Sequence, residues 1–266
     1  MEYITYLILG LIQGITEPLP ISSSGHLLLV RLVFDIGESD VFFEIMMHFA
    51  SLFAVLLIFK DTLIRLIKGT LKTLKKEADP TESIKMVGLI LLGSLPVGLV
   101  GLFIRSPLEN LLETYGLIVI GVSLWVTGTF LWLVKPLTLT NTTETLTVKD
   151  ALFIGTAQVL AILPGISRSG ATFVGGLFRR LSVKTIIEFS FLLYIPVTLG
   201  VSLLELLSLE TIDLPLGPLA VAFIASFAMT YVSLNFFKKM AIAGHLKGFA
   251  VYCATVGTFA ILYYFI

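Results

Sequence analysis

Glu17, Ser22, Ser23, Ser24 and His26 stand within ten residues of one another in a stretch that is otherwise apolar. A carboxylate, three hydroxyls and an imidazole at that spacing could bind an anion, prepare a hydroxyl for attack or move a proton. A second polar cluster, Ser167, Arg168, Ser169 and Thr172, offers hydroxyls around one permanent positive charge. The two clusters are related, because Gly10, Gln13, Ser22, Ser24 and Gly25 recur as Gly155, Gln158, Ser167, Ser169 and Gly170, each 145 residues further on. Polar groups in apolar sequence are costly unless buried together. The doubled pattern therefore predicts one composite site built from two halves.

Each piece has its own chemistry. Gln13 and Glu17 are four apart, so on a helix they share one face. They could share a hard divalent cation such as Mg2+ or Ca2+, completed by water and phosphate oxygens. The same spacing equally suits a structural hydrogen-bonded pair. The run from Pro20 to His26 breaks the first apolar arm and opens a second, where serines cap a helix start whose free N–H groups attract anions. One serine suffices for a cap, and three followed by Gly25 and His26 exceed that need. His26 could serve as general acid, general base or nucleophile, or be a paired structural histidine. The run from Pro164 to Thr172 again places a breaker before hydroxyls. Arg168 at membrane depth would cost about 2.5–3.5 kcal/mol on insertion, so it needs an anionic partner, and Glu17 is the expected one. A planar guanidinium also grips phosphate with two donors, which makes a diphosphate head group the natural ligand. His48 and His245 stand outside any repeated motif and are expected to be structural or solvated. Glu44 and Glu188 occupy equivalent places in the two halves and either brace the polar clusters or join the site.

These clusters sit in a membrane protein. Of 266 residues 56% are hydrophobic and 14% charged, with a mean hydropathy of +0.99, against roughly 25% charged in an ordinary soluble domain. Met1 is followed by Glu2 and an apolar segment with no basic leader, so no cleaved signal peptide is expected. Cys253 is the single cysteine, which excludes an internal disulfide or a cysteine metal cage. Zero net charge and the lack of an aromatic-basic groove pattern argue against nucleic acid.

A spanning helix needs about 20 largely apolar residues. Six segments qualify: Val41 to Phe59, Met86 to Ile104, Tyr115 to Val134, Thr185 to Leu207, Leu214 to Phe237 and Lys247 to Ile266. Residues 3–34 and 151–178 are apolar but broken by prolines, glycine and serines, and read as re-entrant helix-loop-helix hairpins. If both hairpins return to the side they entered, one side collects 15 of the 18 basic residues, from Lys60 to Lys247. That side is cytoplasmic by the rule that positive loops stay inside, which puts both termini outside. The predicted fold is an all-α integral membrane protein of one domain, with repeats over 1–149 and 150–266. Each repeat holds a hairpin and three spanning helices. Three crossings is an odd number, so the repeats are inverted and the hairpin tips can meet near the midplane. Between Lys60 and Lys85 basic residues alternate with Leu63, Ile64, Ile67, Leu71 and Leu74, which predicts an amphipathic helix anchored to anionic lipid.

At its polar motifs the chain resembles the undecaprenyl-diphosphatase (bacitracin-resistance protein) family. The resemblance is carried by Gln13-Gly-Ile-Thr-Glu17, Pro20-Ile-Ser-Ser-Ser-Gly-His26 and Pro164-Gly-Ile-Ser-Arg-Ser-Gly-Ala-Thr172, in that order and spacing. Gln13 stands where some members have Glu, which removes one charge from any metal site. The resemblance implies removal of the terminal phosphate of undecaprenyl diphosphate, regenerating the monophosphate carrier lipid for cell-envelope synthesis and conferring bacitracin resistance. It also implies a site of Glu17, Ser23, His26, Ser167, Arg168 and Thr172 assisted by a divalent cation. Ser22, Ser24 and Ser169 join the substrate-binding hydroxyls. The site is expected to open to the extracytoplasmic side of the plasma membrane. The attacking group is Ser23, His26 or a metal-bound water, with Ser23 preferred. A homodimer is compatible with this layout. The rival from another class is a transporter or flippase of prenyl-phosphate lipid, because inverted repeats with broken helices also build transporters. A histidine beside serines and an acidic pair suits chemistry better than passive binding.

Overall fold

The computed structural model describes residues 2–34, 41–76, 82–134, 142–208 and 215–266, with the backbone alone at 105, 106 and 109. Every regular element among the described residues is a helix. In order they are α1 (Glu2–Thr16), α2 (Ser23–Phe34), α3 (Val41–Ile58), α4 (Lys60–Leu74), α5 (Glu82–Val134), α6 (Val148–Val159), α7 (Arg168–Phe178), α8 (Val183–Ser208), α9 (Leu216–Ile242) and α10 (Lys247–Tyr264). A short 3-10 turn, Leu160–Ile162, follows α6.

Among the described residues five stretches are long and apolar enough to cross a membrane: Val41–Ile58, Glu82–Ile104, Asn110–Val134, Val183–Leu207 and Leu216–Ile242. This is a multi-pass membrane protein, and those stretches correspond to five of the six predicted spans. The second and third lie within α5, which departs from helical geometry at Tyr115 (φ −129°, ψ 23°). The sixth predicted span is α10, an 18-residue helix that opens on Lys247 and ends in two tyrosines. It is not among the five. Leu214, the predicted start of α9, and Lys135 lie outside the described residues, as does the side chain of Arg105.

Both segments predicted as hairpins are helix-break-helix units. At about 1.5 Å per residue, α1, α2, α6 and α7 reach about 17–23 Å, short of a hydrocarbon core of roughly 30 Å. The first unit breaks at 17–22 and the second between Leu163 and Ser167. The related glycines play matching parts in holding them. A Cβ on Gly10 of α1 would lie 2.3 Å from the Ala222 carbonyl oxygen of α9, and one on Gly155 of α6 would lie 2.1 Å from the Gly93 oxygen of α5. With no hydrophobic drive between helices in lipid, such close approach is what packs them. Each broken unit thus packs on a long helix from the other half of the chain.

The core lies behind α7. Phe173 of α7 meets Phe237 of α9 edge-on at 5.6 Å between centroids, and Phe237 in turn meets Phe191 of α8 and Phe249 of α10. Such pairs contribute about 0.5–1.5 kcal/mol each beyond their burial. At the base of the second unit, Arg179 Nε donates to Asp150 Oδ1 at 2.6 Å, closing α7 onto α6. Glu188 takes up Arg65 and Thr62 of α4, both at 3.3 Å. It braces α4 rather than joining the polar clusters. The helix expected between Lys60 and Lys85 is α4, with Ile64, Ile67, Leu71 and Leu74 exposed along one side and Leu66 buried.

Candidate functional site

The two breaks in the helical units meet. Gly165 adopts φ +97°, which only glycine reaches without strain, and its N–H donates to Ser22 Oγ at 3.0 Å. Ser22 itself sits at φ +69°, unusual for a residue with a side chain. Its hydroxyl accepts a second N–H, from Gly25 at 3.3 Å, so the strained turn is tied both to α2 and to the opposite loop. On the other side Ser167 caps α7 by accepting from Gly170 N at 3.1 Å. The hydroxyls of Ser167 and Ser169 donate to the Leu19 carbonyl, at 3.4 and 2.9 Å. Thr127 of α5 fixes the second loop from behind, donating to the Gly165 carbonyl at 3.0 Å and accepting from Ser167 N at 3.3 Å.

Glu17 and Arg168 join across this junction. Arg168 Nη2 donates to Glu17 Oε1 at 2.8 Å, and Glu17 Oε2 accepts from Gln13 Nε2 at 3.1 Å and from the Ser23 hydroxyl through a short bond. The anionic partner that burial demands of Arg168 is therefore Glu17. Arg168 Nη1 is buried with no hydrogen-bond partner among the described residues, and so is Gln13 Oε1. Donor and acceptor atoms left this way are what a bound anion and a bound cation would satisfy.

A cavity of about 290 Å3 opens beside this group. Glu17, Ser22, Ser23, Ser24, Ser167 and Arg168 line it. Six of the residues expected from sequence thus line one cavity. The remainder are placed otherwise. Thr172 is fully buried, paired with Ser190 of α8 through a short contact and donating to the Arg168 carbonyl at 3.0 Å. Ser169 is spent on Leu19. His26 is not among the lining residues: its Nδ1 lies 2.7 Å from the Ser22 carbonyl and its Nε2 2.8 Å from the Tyr252 hydroxyl. A carbonyl can only accept, so Nδ1 carries the proton and Nε2 of the neutral ring accepts from Tyr252. Both ring nitrogens are occupied in holding the serine turn to α10.

His48 is expected to be structural or solvated because no repeated motif surrounds it, and the structure places it beside the site. It lines the cavity, with Nδ1 4.0 Å from Glu17 Oε2. His245 is exposed, as expected. Glu44 is half-buried on α3 and not among the lining residues. Tyr194 of α8 also lines the cavity, its ring centroid 3.9 Å from Arg168 Cζ. An ionisable residue inside a spanning helix is a functional candidate on its own account, and that signal pointed to His48 without any repeated motif. Tyr194 carried no such mark in the sequence.

The fold and this site define a membrane protein with a hydroxyl-lined, charge-paired cavity at the junction of two broken helical units. The family model described as bacitracin resistance protein BacA matches residues 6–259. Undecaprenyl-diphosphatase 1 of Bacillus cereus is 40% identical over 262 residues, covering 97% of this chain and 96% of the relative. Undecaprenyl-diphosphatase of Oceanobacillus iheyensis is 38% identical, with 97% and 95% covered. Undecaprenyl-diphosphatase 1 of Bacillus licheniformis is 35% identical, with 98% and 97% covered. The chain belongs to the BacA family.

Proposed function

We propose that the protein hydrolyses undecaprenyl diphosphate to undecaprenyl phosphate and inorganic phosphate, recycling the carrier lipid and conferring bacitracin resistance. The observation that carries the reading is the single wall formed by Ser23, Glu17 and Arg168, in which a hydroxyl donates to a carboxylate that is itself paired with a guanidinium. The relatives bear a phosphatase's name, not a transporter's.

In this scheme Arg168 Nη1 and the N–H groups at the start of α7 receive the terminal phosphate, neutralising charge as it builds on the equatorial oxygens. Ser23 Oγ attacks the terminal phosphorus while its proton passes to Glu17. The Oγ–P bond forms as the bridging P–O bond breaks, and undecaprenyl phosphate leaves. Glu17 passes the serine proton to the departing undecaprenyl phosphate; water then attacks the phosphoserine, giving a proton to the freed Glu17 carboxylate, which returns it to Ser23 Oγ as inorganic phosphate departs. Ser22, Ser24, Ser167, Ser169 and Thr172 shape or brace the phosphate seat, and His26 belongs to the group through the serine turn it holds. Gln13 Oε1, an orphaned buried acceptor, and the Glu17 carboxylate suit a hard divalent cation. When bound, such a cation supplies charge neutralisation at the phosphate oxygens.

The membrane layout follows the same reading. The matched close contacts of Gly10 and Gly155 support an inverted repeat with two re-entrant hairpins and α10 as the sixth crossing. Segregation of basic residues supports outside termini and a site open to the extracytoplasmic side of the plasma membrane. Reporter tags on the loops would test the sidedness, and light scattering in detergent would count a homodimer. The activity is tested by phosphate release from undecaprenyl diphosphate, with detergent-purified protein and with or without chelator. Wild type releases phosphate, chelation reduces the rate, and Glu17→Ala, His26→Ala and Arg168→Ala each remove most of it. Unchanged rates in all three variants defeat the reading.

A further inference from the structure

The guanidinium of Arg168 is held by more than its carboxylate. Tyr194 lies face-on to it, with Cζ 3.9 Å from the ring centroid, and Phe191, three residues earlier on α8, has its centroid 5.9 Å away. The Tyr194 ring is itself immobilised, being 3% exposed, and its hydroxyl donates to the His48 carbonyl of α3 at 3.2 Å. One turn away on both helices, Thr172 pairs with Ser190. Residues 168 and 172 of α7 thus meet 194 and 190 of α8 in antiparallel register, so the two contacts fix both the tilt and the rotation of the start of α7. With one face against tyrosine and Nη2 committed to Glu17, the guanidinium of this cavity-lining residue keeps Nη1 buried without a hydrogen-bond partner among the described residues.

We infer that Tyr194 is a positioning residue of the reaction, an aromatic platform that fixes the plane of Arg168 so that Nη1 is presented to the terminal phosphate. A cation against an aromatic face is attracted by the ring quadrupole whatever the ring's substituent, so the ring supplies the platform and the hydroxyl only anchors it. A flexible guanidinium would have two competing geometries, one paired wholly with Glu17 and one reaching for substrate. The platform excludes rotation between them and so keeps the carboxylate available to Ser23. This inference rests on the phosphatase reading.

The test compares Tyr194→Phe, which keeps the platform, Tyr194→Leu, which removes it at similar volume, and Arg168→Lys, alone and combined with Tyr194→Leu. Each protein is assayed for turnover of undecaprenyl diphosphate and for affinity toward a prenyl methylenediphosphonate that cannot be hydrolysed at the bridge. Thermal midpoints report folding. A desolvated cation–π contact corresponds to roughly a 30-fold loss of kcat/KM in Tyr194→Leu, with weaker diphosphonate binding, while Tyr194→Phe stays within about threefold of wild type. In the Arg168→Lys background Tyr194→Leu adds little further loss, because an ammonium has no plane for the ring to fix. A purely structural tyrosine would cost the same factor in both backgrounds, and that additivity overturns the inference, as does wild-type kcat/KM in Tyr194→Leu. Wild-type protein that binds the diphosphonate but releases no phosphate overturns the phosphatase reading instead, and the binding arm still judges the platform.

Discussion

Glu17→Ala should destabilise the protein more than the double change Glu17→Ala with Arg168→Met. In the single variant the guanidinium keeps its charge at a site where only 16% of its side chain is exposed, with Nη1 already lacking a partner and Nη2 deprived of its bond at 2.8 Å. Removing one partner of a buried pair costs about 3–5 kcal/mol. The residual access of Arg168 to the cavity places this pair near the lower end, about 3 kcal/mol. For a chain of this size that lowers the thermal midpoint by roughly 6–12 °C. Arg168→Met removes the charge and keeps an apolar side chain against Tyr194, so the double variant should regain most of the loss while remaining inactive. Intrinsic fluorescence or dye-based melting in a mild detergent reads the shift, and the double-mutant cycle isolates the coupling. Equal midpoints for the single and double variants would refute the claim that burial forces the pairing.

Three further outcomes follow from particular contacts. Gly155→Val puts a branched side chain where a Cβ already lies 2.1 Å from the Gly93 oxygen, so α6 must move off α5; overpacking of this kind costs about 1–3 kcal/mol, read as a lower midpoint and a lower yield of monodisperse protein. Tyr252→Phe removes the donor to His26 Nε2 and leaves a buried acceptor unpaired, at about 1–3 kcal/mol, and the serine turn should become more susceptible to hydrogen exchange. Asp150 at the base of α6 has a carboxyl that burial pushes up, but hydrogen bonds from Thr147 and Arg179 outweigh this and hold it below the ordinary value. Its contribution is therefore complete above the ordinary carboxyl range near pH 4 and is lost as pH falls through the lowered value. Asp150→Asn should flatten that acid limb in a melting series.

The parts of the site written as repeated local motifs were legible in the sequence. The breakers at Pro20 and Pro164, the capping serines and the need of Arg168 for an acid all act within a few residues or through a single charge balance, and the structure has each of them. What was not legible depends on elements remote in sequence. Thr127 of α5, Tyr194 of α8 and Tyr252 of α10 each carry one polar group in an apolar helix, and their partners lie 38 to 226 residues away. Their periodicity is that of lipid-facing or core residues. His26 stands beside the serines in sequence, yet its ring nitrogens bond Ser22 and Tyr252. His48 has no motif around it, and helix packing brings it within 4.0 Å of Glu17. Gln158, the partner of Gln13 in the repeat, is buried with neither side-chain atom bonded among the described residues. The equivalent of Glu17 in that unit is Ile162, so no carboxylate stands one turn on to receive the amide.

The central claim is that Ser23, prepared by Glu17 and faced by Arg168 across the two loops, takes the terminal phosphoryl group. Rapid quenching of a single turnover with substrate labelled in its terminal phosphate, followed by mass spectrometry of the digested protein, tests it most directly. A transient phosphoryl group should appear on Ser23 before free phosphate does, and should be missing in Ser23→Ala. Full single-turnover release with no labelled protein at any time would contradict it.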